Sequence, residues 1–396
     1  MDYSTLFSAD TASFMRSPVR DIFKRVDLSK IYSFAGGYPS ADAFDLEGVR
    51  EFAAKAIDKH GSKALQYNAT QGIPELRDAL SARYGVPTGR IQVTTSSQQG
   101  IDVCTRVMVN PGDVVLTSSP TYLGAIQSFR SYRARIVSVS HSDDERQFRQ
   151  RYADAIKACA DKGERIKFLY MIPDFQNPSG ETLSLKQREI LIQLAKEHHF
   201  IIVEDSPYRE LRYRGESVPT LYALSPDCVL HLGSFSKILA PGLRIGWIFG
   251  PPAMLDQIYV CKQSLDLCPP VLDQYIATEF ITSGRLDRNI ERIKRLYQAR
   301  CEGMQALLAR YMPKGVSWTR PDGGLFLLLT MPQGFDSVRF YEKALTHGVA
   351  YVAGSFFHPD GSGQNTMRLN FSFMSLERID EGLKLLSSLI KEELDG

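Results

Sequence analysis

The sequence predicts an α/β fold with a largely parallel central sheet, because short continuous apolar runs alternate with amphipathic stretches through the middle of the chain. Runs of this kind are typical of strands that are buried on both faces. The clearest amphipathic stretch covers 183–198, where the apolar residues lie mainly on one helix face and Ser184 with Gln187 matches a capping box. The predicted strands cover 91–94, 113–116, 168–172, 201–203, 229–232 and 245–249.

The C-terminal part of the chain has a different pattern. A long charged helix is predicted over 285–310, and short strands and a final amphipathic helix over about 375–392 follow it. A chain of 396 residues also exceeds what one hydrophobic core usually organises, so two domains are expected. We predict an N-terminal segment over 1–44 that joins the smaller domain, a large α/β domain over 45–284 and a small α+β domain over 285–396.

Composition narrows the class of protein. The 47 basic and 45 acidic side chains leave a formal net charge of +2, and no basic block indicates nucleic-acid binding. The six cysteines are scattered without a C-x-x-C pair, which argues against a disulfide framework or a zinc cluster. The first residues do not resemble a signal peptide, and no run of about eighteen apolar residues occurs. We therefore expect a cytoplasmic protein with no metal, no nucleic-acid partner and no membrane span.

Polar side chains follow three of the predicted central strands at the point where each strand ends. Asn177 follows the strand over 168–172, Asp205 and Tyr208 follow the strand over 201–203, and Lys237 follows the strand over 229–232. Ligands of open α/β sheets bind beyond the carboxyl ends of the strands. These four residues are therefore expected to face one crevice.

The residue types in this crevice suit one cofactor. A partly desolvated lysine can form a Schiff base with an aldehyde, and a buried carboxylate can keep a pyridine nitrogen protonated. Asn and Tyr side chains can hydrogen-bond the phenolate oxygen of the same ring, while serines and Arg244 can hold a phosphate. This inventory matches pyridoxal 5′-phosphate (PLP).

Several motifs carry a resemblance to a known family. Residues 234–246 resemble the cofactor-lysine motif S-[FL]-S-K-x-x-x-P-G-L-R-x-G of fold-type I PLP enzymes, the class I/II aminotransferases. Residues 177–180 resemble the N-P-[TS]-G motif of that family, and residues 205–208 resemble D-x-[AP]-Y. Counterparts occur in order over nearly the whole chain, and the 2-aminoadipate/kynurenine aminotransferase branch is the most similar. The resemblance implies a large domain with a mostly parallel sheet, a smaller α+β domain and an N-terminal segment that covers the active site.

The resemblance also implies a role for each residue around the cofactor ring. Lys237 would carry PLP as an aldimine and move the proton between the substrate Cα and the cofactor. Asp205 would pair with the pyridine nitrogen, Asn177 and Tyr208 with the phenolic oxygen, and Tyr122 would stack on the ring. The phosphate would be held by Ser97, Gln98, Ser234, Ser236 and Arg244, and by Tyr67 from a second subunit, which implies a homodimer with shared sites.

The substrate end is defined by fewer residues. Arg368 would bind the α-carboxylate, with Gly37 and Asn177 beside it, and Arg20 matches an arginine that in this branch can meet a distal carboxylate or an aromatic side chain. Two departures from the family pattern concern the pocket: Ser96 stands where glycine is common, and the segment over 352–356 is one residue short of V-x-P-G-x-x-F.

The predicted activity is transfer of an amino group between an L-amino acid, acidic or aromatic, and a 2-oxo acid such as 2-oxoglutarate, in a ping-pong reaction. A PLP-dependent lyase, decarboxylase or cyclising enzyme on the same fold is the alternative, because the reaction type depends on which Cα bond stands perpendicular to the ring. An effector-sensing domain of a transcription regulator is a further alternative. It is disfavoured because the 33 residues before 34–37 are too few for a typical DNA-binding domain.

Overall fold

The computed structural model describes residues 3–8, 11 and 30–395. Its largest sheet has seven strands: β2 (Ile91–Thr94), β3 (Val114–Ser119), β4 (Arg135–Ser140), β5 (Ile166–Met171), β6 (Ile201–Asp205), β7 (Val229–Ser234) and β8 (Gly246–Phe249). The spatial order is β2-β8-β7-β6-β5-β3-β4. Every neighbouring pair is parallel except those that include β8, which is antiparallel to β2 and β7. The predicted α/β fold with a mostly parallel sheet is confirmed.

Helices flank this sheet and continue through the C-terminal part of the chain. Ser184 caps the helix that was predicted over 183–198, and the reciprocal capping box with Gln187 is present. The helices are α1 (Leu46–His60), α2 (Pro74–Tyr84), α3 (Ser96–Met108), α4 (Leu123–Ser131), α5 (Glu145–Ala160), α6 (Leu185–Glu197), α7 (Leu221–Leu224), α8 (Pro252–Asp266), α9 (Val271–Thr282), α10 (Arg285–Tyr311), α11 (Ser337–Thr346) and α12 (Leu376–Asp395).

The remaining strands form two small sheets. One is antiparallel, with the order β12 (Val352–Ala353), β13 (Thr366–Asn370), β10 (Phe326–Thr330) and β9 (Ser317–Trp318). The other pairs β1 (Tyr32–Ser33) in parallel with β11 (Val349–Ala350), so the N-terminal segment joins the C-terminal part of the chain. The predicted domain boundary at 284 and 285 falls at Gly284 between α9 and α10, and the division into domains stays a prediction.

The sheet brings the polar strand ends together. Strands β5, β6 and β7 are parallel neighbours, so their carboxyl ends lie at one edge. Asp205 is the last residue of β6, Ser234 is the last residue of β7, and α3 begins directly beyond the end of β2 at the same edge. Within the described ranges, no helix is both long enough and apolar enough to cross a membrane.

Candidate active site

A cleft of about 930 Å³ opens at this edge of the seven-stranded sheet. Most of the residues that the sequence singles out line it: Gly37, Ser97, Gln98, Tyr122, Asn177, Asp205, Tyr208, Ser236, Lys237, Arg244 and Arg368. Two others, Ser234 and Tyr67, do not line the cleft of this chain. Ser234 lies behind Ser236, Tyr67 is 75% exposed elsewhere on the surface, and Arg20 lies outside the described residues.

Lys237 lies three residues beyond the end of β7, with its amine inside the cleft. Its Nζ donates a hydrogen bond to the carbonyl oxygen of Gly37 over 2.9 Å. Burial lowers the pKa of Lys237 to about 8, and the positive charges of Arg368 and Arg244 act in the same direction. A substantial fraction of the amine is therefore neutral near physiological pH, which is the form that attacks an aldehyde.

Asp205 is the buried carboxylate at the floor of the cleft, with an exposed fraction of 2%. Its Oδ2 accepts a hydrogen bond from the hydroxyl of Tyr170 over 2.7 Å, while its Oδ1 has no hydrogen-bond partner among the described residues. Burial raises the pKa of Asp205 to about 6, against the opposing effects of the Tyr170 hydroxyl and the charge of His231. A buried carboxylate oxygen without a partner is costly, so the site suits a ligand that brings a cationic N–H to it. A protonated pyridine nitrogen has this chemistry.

Tyr170 is a site residue that the sequence analysis did not identify. It lies within β5, where the apolar run over 168–172 indicates only a core strand. The available signal was the tyrosine itself, because a buried tyrosine hydroxyl usually needs a hydrogen-bond partner. Burial raises the pKa of Tyr170 further above its ordinary value, so the hydroxyl stays protonated and donates to Asp205.

Arg368 is a buried cation in β13 whose hydrogen-bond partners among the described residues are neutral. Its Nη1 donates to Oδ1 of Asn177 over 2.7 Å, and its Nη2 donates to the carbonyl oxygen of Ala35. The guanidinium lies 4.2 Å from the ring centre of Phe326, and its Nε has no hydrogen-bond partner among the described residues. Burial lowers the pKa of Arg368 to about 10, so it remains charged at neutral pH. This arrangement can bind a carboxylate that enters the cleft.

Tyr122 is held at the cleft by a chain of hydrogen bonds. Its hydroxyl donates to Oε1 of Gln98 over 3.1 Å, and Nε2 of Gln98 donates to the carbonyl oxygen of Gly124 over 3.3 Å. A side chain at Gly124 would meet the Tyr122 ring at about 2.5 Å, so this glycine is required for the aromatic ring to lie where it does. Tyr122 therefore presents a fixed ring at the start of α4.

The end of the cleft beside the first turn of α3 is suited to an anion. Ser97 and Gln98 lie in the first turn of α3, where backbone N–H groups lack helical partners and the helix dipole favours negative charge. Arg244 is exposed and also lines the cleft. Asp266, which the sequence analysis missed, lies nearby, and its carboxylate accepts hydrogen bonds from Thr95, from Gln99 and from the buried amine of Lys262. Lys262 thus compensates the negative charge of Asp266 at this end.

Comparison with known proteins places the chain in a family. The family model described as aminotransferase class I and II matches residues 34–386. The chain belongs to this family of aminotransferases. The aromatic-amino-acid aminotransferase 1 of Thermococcus litoralis is 41% identical over 100% of this chain and 96% of its own length. The 2-aminoadipate transaminase of Thermus thermophilus is 35% identical over 99% of this chain and 98% of its own length.

The fold of this aminotransferase closely matches that of a solved structure from the same family. The kynurenine aminotransferase of Pyrococcus horikoshii, in complex with PMP and with kynurenine as substrate, superposes with a TM-score of 0.94 at 40% identity, covering 99% of this chain and 98% of that one. The predicted fold type, enzyme class, amino-acid substrates and PLP cofactor are confirmed. When bound, PLP supplies an electron sink for the charge left on the substrate Cα as its proton departs. The unpartnered Oδ1 of Asp205 and the depressed pKa of Lys237 fit this cofactor.

Proposed function

We propose that this aminotransferase transfers the amino group of an aromatic L-amino acid to an acidic 2-oxo acid such as 2-oxoglutarate, in a ping-pong reaction that depends on Lys237. The observation that carries the proposal is the set of positive charges in the cleft. Among the described residues that line it, the cationic side chains are Lys237, Arg244 and Arg368. Each of these has a task that leaves it unavailable to a distal group of the substrate.

The tasks follow from position and charge. The amine of Lys237 would hold the cofactor through its aldehyde group and would afterwards move the proton between the substrate Cα and the cofactor. Asp205 pairs with the pyridine nitrogen, while Asn177 and Tyr208 hold the phenolic oxygen. Arg368 binds the α-carboxylate, and this role agrees with its burial between aromatic rings and its neutral partners.

The phosphate is proposed to lie at the start of α3. Ser97 and Gln98 supply the first turn of the helix, and Arg244 supplies a charge at the same end of the cleft. Ser236 presents a hydroxyl there, while Ser234 acts from behind it through their 2.9 Å hydrogen bond.

The rest of the described wall favours an aromatic side chain on the donor. Tyr38, Leu123 and Phe326 contribute apolar surface, and Asp102 contributes negative rather than positive charge. An aromatic ring can pack on this wall without a counter-ion. The distal carboxylate of glutamate, 2-aminoadipate or 2-oxoglutarate needs a further cation, which we assign to Arg20.

We further propose a homodimer with shared sites. Tyr67 is 75% exposed and lines a surface hollow with Asp266, Pro269 and Pro270 rather than the cleft of its own chain. An aromatic side chain so exposed is suited to burial against another copy, where Tyr67 would reach the phosphate of the partner's cofactor. We propose the cytoplasm as the location, which the six free cysteines support.

The proposal predicts that replacement of Arg20 by alanine lowers activity toward acidic substrates more than toward aromatic ones. The kcat/KM for glutamate and 2-oxoglutarate is expected to fall about 10- to 100-fold, because a charge-assisted contact to a distal carboxylate is removed. The kcat/KM for phenylalanine and tyrosine is expected to change less than about threefold. Half-reactions measure each substrate separately: the amino acids convert the PLP form to the pyridoxamine form, 2-oxoglutarate converts the pyridoxamine form back, and absorbance follows both.

Arg50→Ala, on an exposed position of α1, is the matched control and should leave all four values unchanged. Equal losses for aromatic and acidic substrates in Arg20→Ala would contradict the assignment of Arg20. A wild-type protein that shows a half-reaction with acidic amino acids but with no aromatic one would contradict the proposed donor. Product analysis that finds decarboxylation or elimination in place of oxo-acid formation would favour the lyase alternative.

A further inference from the structure

Ser96 has a backbone conformation that L-amino acids rarely adopt. It is the first residue of α3, its φ is 71°, and it is 5% exposed. Positive φ brings Cβ close to the neighbouring carbonyl oxygen, a strain that glycine does not have. Glycine is common at this position in the family that the sequence resembles. Serine therefore costs stability here unless its side chain contributes something in return.

The position of the Ser96 backbone is fixed by its packing against the sheet. A Cβ atom at Gly246, the first residue of β8, would lie 2.8 Å from the carbonyl carbon of Ser96 and 2.9 Å from its Cα. Gly246 is thus the glycine that lets Ser96 approach the strand so closely. The hydroxyl of Ser96 is consequently held in one place beside the ends of β7 and β8.

Three buried hydroxyl groups meet at this point. Oγ of Ser96 lies 3.2 Å from Oγ of Ser236 and 3.3 Å from Oγ of Ser234, and the hydroxyl of Ser234 donates to Ser236 over 2.9 Å. Each hydroxyl has one proton to donate and two lone pairs that accept. The Ser234 proton is directed at Ser236, and either partner can be the donor in the two contacts of Ser96, so the protons of Ser96 and Ser236 can turn to an acceptor in the cleft. Ser96 and Ser236 both line the cleft, whereas Ser234 does not.

We propose that Ser96 is an additional phosphate-binding residue of this enzyme, and that its hydroxyl donates to the phosphate of PLP beside that of Ser236. The inference rests on the proposed placement of the phosphate at the start of α3. A hydrogen bond to a charged phosphate oxygen is stronger than one between neutral groups, so it can offset the backbone strain at this residue. Asp266 lies at the same end of the cleft, but its oxygens are occupied by Thr95, Gln99 and Lys262.

The test measures the binding of PLP and of pyridoxal to the apo forms of the wild type and of two variants, Ser96→Ala and Ser96→Gly. Both variants lack the hydroxyl, and only alanine keeps a Cβ at positive φ. Titration of PLP, followed by absorbance, is expected to show about tenfold weaker binding in both variants than in the wild type. Titration of pyridoxal, which lacks the phosphate, is expected to be unchanged. The apo form of Ser96→Gly is expected to melt above that of Ser96→Ala, since only the latter retains the strain.

His199→Gly is the matched control for relief of strain. His199 has a φ of 57°, is exposed and follows α6 at the opposite edge of the sheet, so its replacement should leave PLP binding unchanged. Wild-type affinity for PLP in Ser96→Gly would overturn the inference, because the hydroxyl would then contribute nothing. Equal losses of PLP and pyridoxal binding would overturn it as well, because the defect would not concern the phosphate. A wild-type apoenzyme that binds PLP no more tightly than pyridoxal would overturn both this inference and the proposed phosphate site.

Discussion

Replacement of Lys237 by alanine is expected to lower the rate of transamination by about 10⁴-fold. The amine of Lys237 is the group in the cleft with a pKa near 8, and its removal takes away both the covalent attachment and the base that moves the proton at Cα. Steady-state kinetics with an aromatic donor and 2-oxoglutarate measure the loss. Methylamine added to the variant should restore part of the rate, because a free amine can enter the vacated space and carry the proton.

The matched control is Lys186→Ala, at an exposed position of α6, which should retain the full rate. The melting temperature of the apo Lys237→Ala protein is expected to match that of the wild type, because among the described residues the lost side chain donates a hydrogen bond only to Gly37. An unchanged melting temperature would show that the loss of rate is chemical rather than structural. A variant that keeps more than about a tenth of the wild-type rate would exclude Lys237 from proton transfer.

Replacement of Asp205 by asparagine is expected to lower kcat/KM about 10²- to 10³-fold, the usual effect of removing one preorganised electrostatic contact from an active site. The neutral amide cannot keep the pyridine nitrogen protonated, so the cofactor stabilises negative charge at Cα less well. Tyr170→Phe is the companion variant. It leaves the carboxylate in place and removes only the 2.7 Å hydrogen bond to Oδ2, so the fall in kcat/KM should be smaller than in Asp205→Asn.

Asp205→Asn is also expected to stabilise the apoprotein. The pKa of Asp205 is raised to about 6 by burial, so the folded apoprotein holds this proton more tightly than the unfolded chain does. The free energy of unfolding of the wild-type apoprotein therefore falls by about 3 kcal/mol as pH rises from about 4 to about 6, and it stays lower by this amount above that range. Asp205→Asn should recover this amount at pH 8 and much less at pH 4, as measured by the free energy of unfolding in urea. An apo variant that is less stable than the wild type at pH 8 would contradict the cost of burying the Asp205 carboxylate with its Oδ1 unpartnered.

The sequence predicted the parts of the site that depend on strand ends. Asp205 and Lys237 follow short apolar runs, and parallel neighbouring strands bring such residues to one edge whatever the details of packing. The capping box of Ser184 and Gln187 was equally readable, because both of its members lie within four residues of sequence.

Contacts between distant segments could not be read in the same way. The pairing of Tyr170 with Asp205 spans two strands, and the ion pair of Lys262 with Asp266 depends on how α8 packs. Alternating apolar residues continue to Phe373, yet β13 stops at Asn370. The side chain of Asn370 accepts hydrogen bonds from the backbone N–H groups of Ser372 and Phe373, which turns the chain away from the sheet.

The most direct measurement reduces the PLP-loaded protein with borohydride, digests it and locates the added mass by peptide sequencing in the mass spectrometer. Stoichiometric label at residue 237, absent when PLP is omitted, is the result expected from an amine with a pKa near 8 inside the cleft. Label at another lysine, or none at all after loading with excess cofactor, would contradict the assignment of this cleft as the active site.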